Sequence, residues 1–212
     1  MSTGRFITLE GVEGAGKSTV ARGLEAELTR RGLSVLVTRE PGGTPLAESL
    51  RKLLLQRDSE VITPAAETLL MFAARAVHLE NAIRPALAAG RWVICDRFTD
   101  ASYAYQGAGR GVNTALLDQL AATVHADLWP ARTVLLDLPV ATALARARAR
   151  ASAADRFELE QREFFERVRA AYLARAALEP QRVRVIDGLL AEPQVVAAAL
   201  AAIADLLPGE ST

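Results

Sequence analysis

The amino-acid sequence predicts an α/β fold, a five-stranded parallel sheet flanked by helices on both faces. Three observations predict it. Runs at residues 6–9, 34–38, 92–95, 133–138 and 182–186 are rich in Val, Ile and Leu and lack clean polar–apolar alternation. Parallel strands buried on both faces have this composition. Longer segments of helical character separate the runs, and repeated strand–helix units build a doubly wound sheet. A glycine-rich loop joins the first run to the first helix, and ligands in such sheets sit at the carboxyl ends of strands.

The helices follow in order. The first covers 17–31 and ends at Gly32, a residue suited to the left-handed position after a helix. The second, 45–56, carries Leu46, Leu50, Leu53 and Leu54 on one side. The third, 64–89, is long, holds Pro85 near its end and stops at Gly90. Helices at 113–125 and 157–178 obey the same logic. The last, 193–207, is Ala-rich with Val195, Val196, Leu200, Ile203 and Leu207. Residues 208–212 read as a loose tail. No repeat or linker divides the chain, so one domain is expected over 1–212.

The 212 residues suffice for a substantial core. Lys+Arg and Asp+Glu number 25 each, which argues against nucleic acid or an anionic membrane as the main partner. No apolar run approaches the ~20 residues that span a bilayer. The first strand begins near the start of the chain, leaving no room for a signal peptide. The single cysteine, Cys95, excludes an internal disulfide and suits a reducing cytoplasm. Its neighbours Val93, Ile94 and Asp96 mark it as a buried strand residue rather than a catalytic thiol.

Residues 11–18 read Gly11-Val12-Glu13-Gly14-Ala15-Gly16-Lys17-Ser18, the complete pattern G-x-x-x-x-G-K-S between a strand and a helix. The glycines let the backbone bend and approach phosphate oxygens. The loop N–H groups and the helix N-terminus then favour an anion. Lys17 supplies a point charge for β- and γ-phosphates, and Ser18 a hydroxyl for Mg²⁺. The predicted fold is therefore that of the P-loop NTPases. Glu13 is not needed for ATP, and a carboxylate among phosphates must serve something else.

Asp96 ends the third strand, where a carboxylate helps to hold Mg²⁺. Arg97 follows it into the same crevice, and its planar fork suits a second phosphate. A purely structural Asp-Arg pair is disfavoured by the P-loop upstream. Arg146, Arg148 and Arg150 read either as a solvated helix face or as part of a mobile basic flap at about 146–157, ending in Asp155-Arg156. Such a lid would exclude water and neutralise transition-state charge. In the third helix Arg75 stands among apolar neighbours near Met71 and Phe72, so its guanidinium needs an acceptor. Met71 and Phe72 by themselves read as core, and His78 as a hydrogen-bonded surface or core histidine.

Together these residues resemble the bacterial thymidylate kinases. The resemblance rests on Gly11–Ser18, Thr38-Arg39-Glu40-Pro41-Gly42-Gly43-Thr44, Asp96-Arg97-Phe98, Ala104-Tyr105-Gln106-Gly107 and Asp155-Arg156-Phe157-Glu158. It implies transfer of the ATP γ-phosphate to thymidine 5′-monophosphate, with Mg²⁺, in a cytoplasmic homodimer. It implies an ATP site of Gly11, Val12, Glu13, Gly14, Ala15, Gly16, Lys17, Ser18, Thr19 and Arg146, with the loop 187–190 a further adenine candidate. Metal would be held by Ser18 and Asp96. The thymidylate site would comprise Glu13, Glu40, Pro41, Arg51, Met71, Phe72, Arg75, Arg97, Ser102, Tyr105 and Gln106. In that scheme Glu13 takes the sugar 3′-hydroxyl, Arg97 the acceptor phosphate, Arg75 and Ser102 the thymine edge, and Tyr105 crowds the 2′ position. Lys17, Arg97 and a lid arginine, Arg150 or Arg156, carry the catalytic charge.

The chain departs from the family pattern in three places. The aromatic expected four residues before Arg75 is Met71, with Phe72 three before, so either Met71 packs on thymine or Phe72 rotates in. Ala101 replaces a frequent hydroxyl residue, and the lid is one residue longer. The rival readings are a P-loop kinase for another nucleotide or nucleoside, and a non-catalytic nucleotide-binding switch.

Overall fold

A computed structural model describes residues 4–56, 60–150 (residue 150 by its backbone alone), 157 and 160–208. The strands are β1 (Phe6–Glu10), β2 (Val35–Arg39), β3 (Trp92–Asp96), β4 (Arg132–Asp137) and β5 (Val183–Asp187). They form one parallel sheet in the order β2-β3-β1-β4-β5. The strand order reverses beside β1, so the loop after β1 opens into the crevice of an open α/β sheet.

Strand β1 is buried throughout and β3 up to its last residue, the half-buried Asp96, as their apolar runs require. Buried Thr8 and Thr133 pair their hydroxyls across β1 and β4 at 2.8 Å, which satisfies both inside the sheet. One side of α1 (Lys17–Arg30) buries Val20, Ala21, Leu24 and Leu28, the three- and four-residue spacing of a helix face. Each fully buried Leu of this kind contributes about 2 kcal/mol. Helix α2 (Pro45–Leu55) starts at Thr44, whose Oγ1 accepts from Ala47 N–H. Thr63 does the same for Ala66 at the start of α3 (Pro64–His78). In each case Pro occupies the first turn, where its missing N–H is harmless.

The predicted helix at 64–89 is not uniform. After α3, residues Leu79–Ile83 widen into a π turn before α4 (Arg84–Ala88). Pro85 explains the change, because its ring displaces the carbonyl four residues back and it has no N–H to donate. A second π stretch, Tyr103–Gly109, follows the short α5 (Thr99–Ser102). The glycines at 107, 109 and 111 suggest a loop there. The chain stays helical, with Arg110 N–H reaching the Tyr105 carbonyl five residues back at 2.9 Å.

The remaining helices are α6 (Thr114–His125), α7 (Val140–Arg150), α8 (Arg162–Leu178) and α9 (Glu192–Ala202). Residues 146–150, read as the start of the basic flap, are the last turn of α7. Residues 151–156 of the expected lid lie outside the described residues, as do 209–212 of the expected tail. Helix α8 begins at Arg162 rather than 157, and the last helix ends at Ala202, followed by a short 3₁₀ turn, Ala204–Leu206.

Candidate active site

The loop after β1 has the geometry its glycines allow. Gly11, Gly14 and Gly16 all take positive φ. A Cβ at Gly14 would collide with the Ala143 carbonyl, so only glycine fits between the loop and α7. Val12 and Ala15 turn their side chains into the core, leaving the loop backbone toward the cleft. Lys17 is buried and donates to the Gly11 and Val12 carbonyls, each at 3.2 Å. Burial, reinforced by Arg97, lowers its pKa against the pull of Asp96 and Glu13. Ser18 is exposed at the cleft, and Thr19 is half-buried behind it.

An open cleft lies above this loop. On one side it is lined by Glu13, Gly14, Gly16, Lys17 and Ser18. Its lining also includes Arg39, Glu40, Pro41, Arg51, Leu55, Met71, Asp96, Arg97, Tyr105 and Gln106. These residues come from the ends of β2 and β3, from α2, α3 and the second π stretch. The sheet brings them together by placing β2 and β3 beside β1.

Arg97 is the centre of the hydrogen bonding. Its Nη2 donates to Glu13 Oε1 at 2.5 Å and to the Tyr105 hydroxyl at 2.9 Å. Nη1 donates to the Gly11 carbonyl at 3.0 Å and the Tyr172 hydroxyl at 3.1 Å. Its backbone φ is 71°, a left-handed conformation that costs a non-glycine residue about 1–3 kcal/mol. Arg97 N–H donates to Leu9 O at 2.9 Å and the Cys95 thiol donates to Arg97 O at 3.0 Å, so both sides hold the strained residue. Burial pushes the Glu13 carboxyl up, but the charge of Arg97, with Lys17, outweighs it and holds the pKa at about 2.

Asp96 Oδ1 is buried without a hydrogen bond and lies 4.0 Å from Lys17 Nζ. An orphaned carboxylate oxygen beside a cleft serine hydroxyl fits a hard divalent cation.

One wall of the cleft is built on α3. Met71 lines it, whereas Phe72 packs behind, with Leu117 and Ala121 of α6. Of the two alternatives for thymine stacking, the cleft therefore presents Met71. Phe72 instead supports Arg75, whose guanidinium carbon lies 4.6 Å from the ring centroid. Arg75 is 1% exposed, binds Glu40 Oε2 at 2.7 Å and Ser102 Oγ at 3.1 Å, and keeps Nη1 buried without a partner. Gln106 Nε2 donates to Glu67 at 2.8 Å, leaving its Oε1 buried and unpartnered as well. Arg51 donates to the Pro41 carbonyl at 2.9 Å. Arg146 donates to the Gly188 carbonyl at 2.8 Å, so the two adenine candidates of the sequence are in contact. The Arg150 side chain and all of Arg156 lie outside the described residues.

Residues 9–199 match the family model described as thymidylate kinase. The chain belongs to the thymidylate kinase family. It is 57% identical to the thymidylate kinase of Alcanivorax borkumensis over 87% of this chain and 88% of that one. It is 55% identical to that of Pseudomonas entomophila over 98% and 96%. The crystal structure of the Ehrlichia chaffeensis thymidylate kinase superposes with a TM-score of 0.76, at 32% identity, covering 94% of this chain and 98% of that one.

For this family member, reading the sequence missed Glu10, Tyr172, Arg39 and Phe157 as parts of the site. Arg39 and Phe157 stood inside the quoted motifs, and both line the cleft. Tyr172 carries no local signal. It reaches the site from α8 and bridges Arg97 to Glu10, donating to Glu10 Oε2 at 2.6 Å.

Proposed function

We propose that the protein transfers the γ-phosphate of ATP to the 5′-phosphate of thymidine monophosphate, giving the diphosphate and ADP. The observation that carries this reading is the single cleft shared by the P-loop and a second phosphate anchor, Arg97. The family match over residues 9–199 supports it and disfavours another acceptor or a non-catalytic switch.

An acceptor phosphate oxygen is already anionic near neutral pH, so the attack needs no general base. Catalysis is then alignment and charge neutralisation. Lys17 moves from its carbonyl partners to the donor phosphates. Arg97 exchanges Glu13 and Gly11 for phosphate oxygens, and the freed Glu13 accepts from the sugar 3′-hydroxyl. Tyr105, held by Arg97, packs against the sugar. Arg75 Nη1 donates to the thymine edge, supported by its being a buried donor with no partner. Ser18 and Asp96 would hold Mg²⁺, which supplies charge neutralisation on the phosphates. A lid arginine, Arg150 or Arg156, adds positive charge, and Arg146 flanks the adenine.

We also assign a homodimer through the α2–α3 face, supported by the exposed Leu46, Leu53 and Leu69. A cytoplasmic location is supported by the buried free thiol of Cys95. No helix among the described residues is long and apolar enough to cross a membrane.

An ADP-release assay with thymidylate, deoxyuridylate, uridylate and thymidine tests the activity. Thymidylate should be the best acceptor and thymidine should be inert. Preference for the nucleoside would overturn the role of Arg97.

A further inference from the structure

His78 was read from the sequence as an ordinary histidine. In the structure it is 0% exposed and sits one helical turn after Arg75 on α3. Its Nδ1 lies 3.2 Å from Glu40 Oε1, and its Nε2 lies 2.7 Å from Thr38 Oγ1. The other oxygen of Glu40 accepts from Arg75 Nε at 2.7 Å. Burial raises the Glu40 pKa, but Arg75 and His78 together bring it below the usual carboxylate value, so the group is ionised. An ionised carboxylate can only accept, so His78 Nδ1 carries the proton that faces Glu40, while Nε2 pairs with the Thr38 hydroxyl.

We infer that His78 and Thr38 are positioning residues for base recognition: they lock Glu40, and Glu40 aims the one unpartnered donor of Arg75 at the acceptor base. This inference rests on the reading of Arg75 as the residue that meets thymine.

The geometry of Arg75 makes the relay consequential. Phe72 and Phe98 hold the guanidinium, with its carbon 4.6 and 5.1 Å from their ring centroids. Glu40 and Ser102 occupy Nε and Nη2, so the plane is set and Nη1 is left over. Packing restricts the plane of the guanidinium, while Glu40 determines its rotation within that plane. Gly43 closes the relay from outside. It has φ 86°, and a Cβ there would collide with His78 Nε2 and the Thr38 hydroxyl. The loop after β2 is thereby tied to the same histidine.

The cluster also has the residue types of a metal site, since one ligand atom each from Glu40, His78 and Cys95 lie within 4.8 Å of one another. Two observations favour a relay instead. The Arg75 guanidinium already neutralises Glu40, and burial pushes the Cys95 thiol well above its usual pKa, so it stays protonated and donates to Arg97 O. A divalent cation would have to displace both arrangements.

The relay should act on selectivity as well as affinity. A keto oxygen at the pyrimidine 4-position accepts from a fixed Nη1, whereas the amino group of deoxycytidylate opposes a donor with a donor. A loosened guanidinium penalises that mismatch less.

The test is steady-state kinetics on His78→Leu, His78→Asn, Thr38→Val and Arg75→Lys, each with thymidylate and deoxycytidylate. Asn keeps an amide N–H near the Nδ1 position and Leu removes both bonds. For His78→Leu the KM for thymidylate should rise about tenfold, the size of one lost buried hydrogen bond. The KM for ATP should stay within about twofold, and thymidylate preference over deoxycytidylate should fall. His78→Asn should recover most of the loss, and Thr38→Val should show a smaller effect in the same direction. In the Arg75→Lys background His78→Leu should add little, because residues acting through one group are not additive. An unchanged thymidylate KM in His78→Leu, alongside a raised one in Arg75→Lys, overturns the relay. So does an equal rise in both KM values without rescue by Asn. If Arg75→Lys itself leaves the thymidylate KM unchanged, the base-reading role of Arg75 fails first.

Discussion

Glu13 Oε1 and Arg97 Nη2 lie 2.5 Å apart across a sequence separation of 84 residues. One leaves the P-loop and the other the end of β3, and the pairing of β1 with β3 brings them together. The two groups assigned to the sugar and the phosphate of the acceptor nucleotide thus neutralise each other inside the protein. The carboxylate of the P-loop thus has a partner within the protein, the Arg97 guanidinium.

Replacing Glu13 with Gln keeps the shape and removes the charge. The thymidylate KM should rise roughly tenfold or more, since a charge-assisted hydrogen bond is lost. The ATP KM should change far less. Equal changes in both constants would assign Glu13 to metal binding or loop structure.

Lys17→Ala should lower kcat by at least about 10²–10³-fold, the usual cost of losing one preorganised charge at the transferred phosphoryl group. The far-UV circular dichroism should match the parent, because the lost bonds to Gly11 and Val12 are local. Near-normal turnover would end the kinase assignment.

Glu10 predicts a pH effect on stability. It ends β1, accepts from Phe98 N–H and Tyr172, and is raised from 4.5 to about 7 by burial first and by the charge of Asp100 second. A raised acid binds its proton more tightly in the folded state. Stability from this group is therefore full below about pH 4.5 and declines as pH rises toward 7. The full span is on the order of 3 kcal/mol at about 1.4 kcal/mol per unit. Glu10→Gln should gain melting temperature relative to the parent at pH 8 but not at pH 4.5. The same difference at both values would remove Glu10 as the titrating group.

Asp100 is predicted to matter for stability rather than catalysis. Its buried carboxylate accepts from Arg175 at 2.5 Å and from Arg182 at 2.7 and 3.0 Å, tying α5 to α8 and to the start of β5. Asp100→Ala leaves two partly buried guanidinium groups without that partner and should cost about 3–5 kcal/mol. Denaturant unfolding measures the loss. The KM values of the protein that remains folded should stay within about twofold.

How much of this was readable before the fold was known differs by element. Motif residues close in sequence could be assigned roles from chemistry alone, as the P-loop and Asp96-Arg97 were. The sheet positions were also readable, because strands buried on both faces need unbroken apolar runs. The π stretch at Tyr103–Gly109 was not, since its glycines look like a loop while packing against α8 keeps it helical. Gly109 shows the reason: a Cβ there would run into the Phe164 ring. The choice between Met71 and Phe72 was equally closed to sequence. Both are apolar and adjacent, and only the crossing of α3 with α6 turns Phe72 inward.

The sequence by itself determined the phosphate loop and the order of strands and helices along the chain, because these depend on local residue chemistry and periodicity, and its motifs carried the resemblance to the family. Tertiary structure alone decided the partners of Glu13, Glu40, Arg75 and Arg97. Their contacts span tens of residues, and a side chain's acceptor is set by which elements pack against it. Glu13 is the plainest case. Its charge is written in the sequence, but its pairing with Arg97 exists only because β1 and β3 are neighbours.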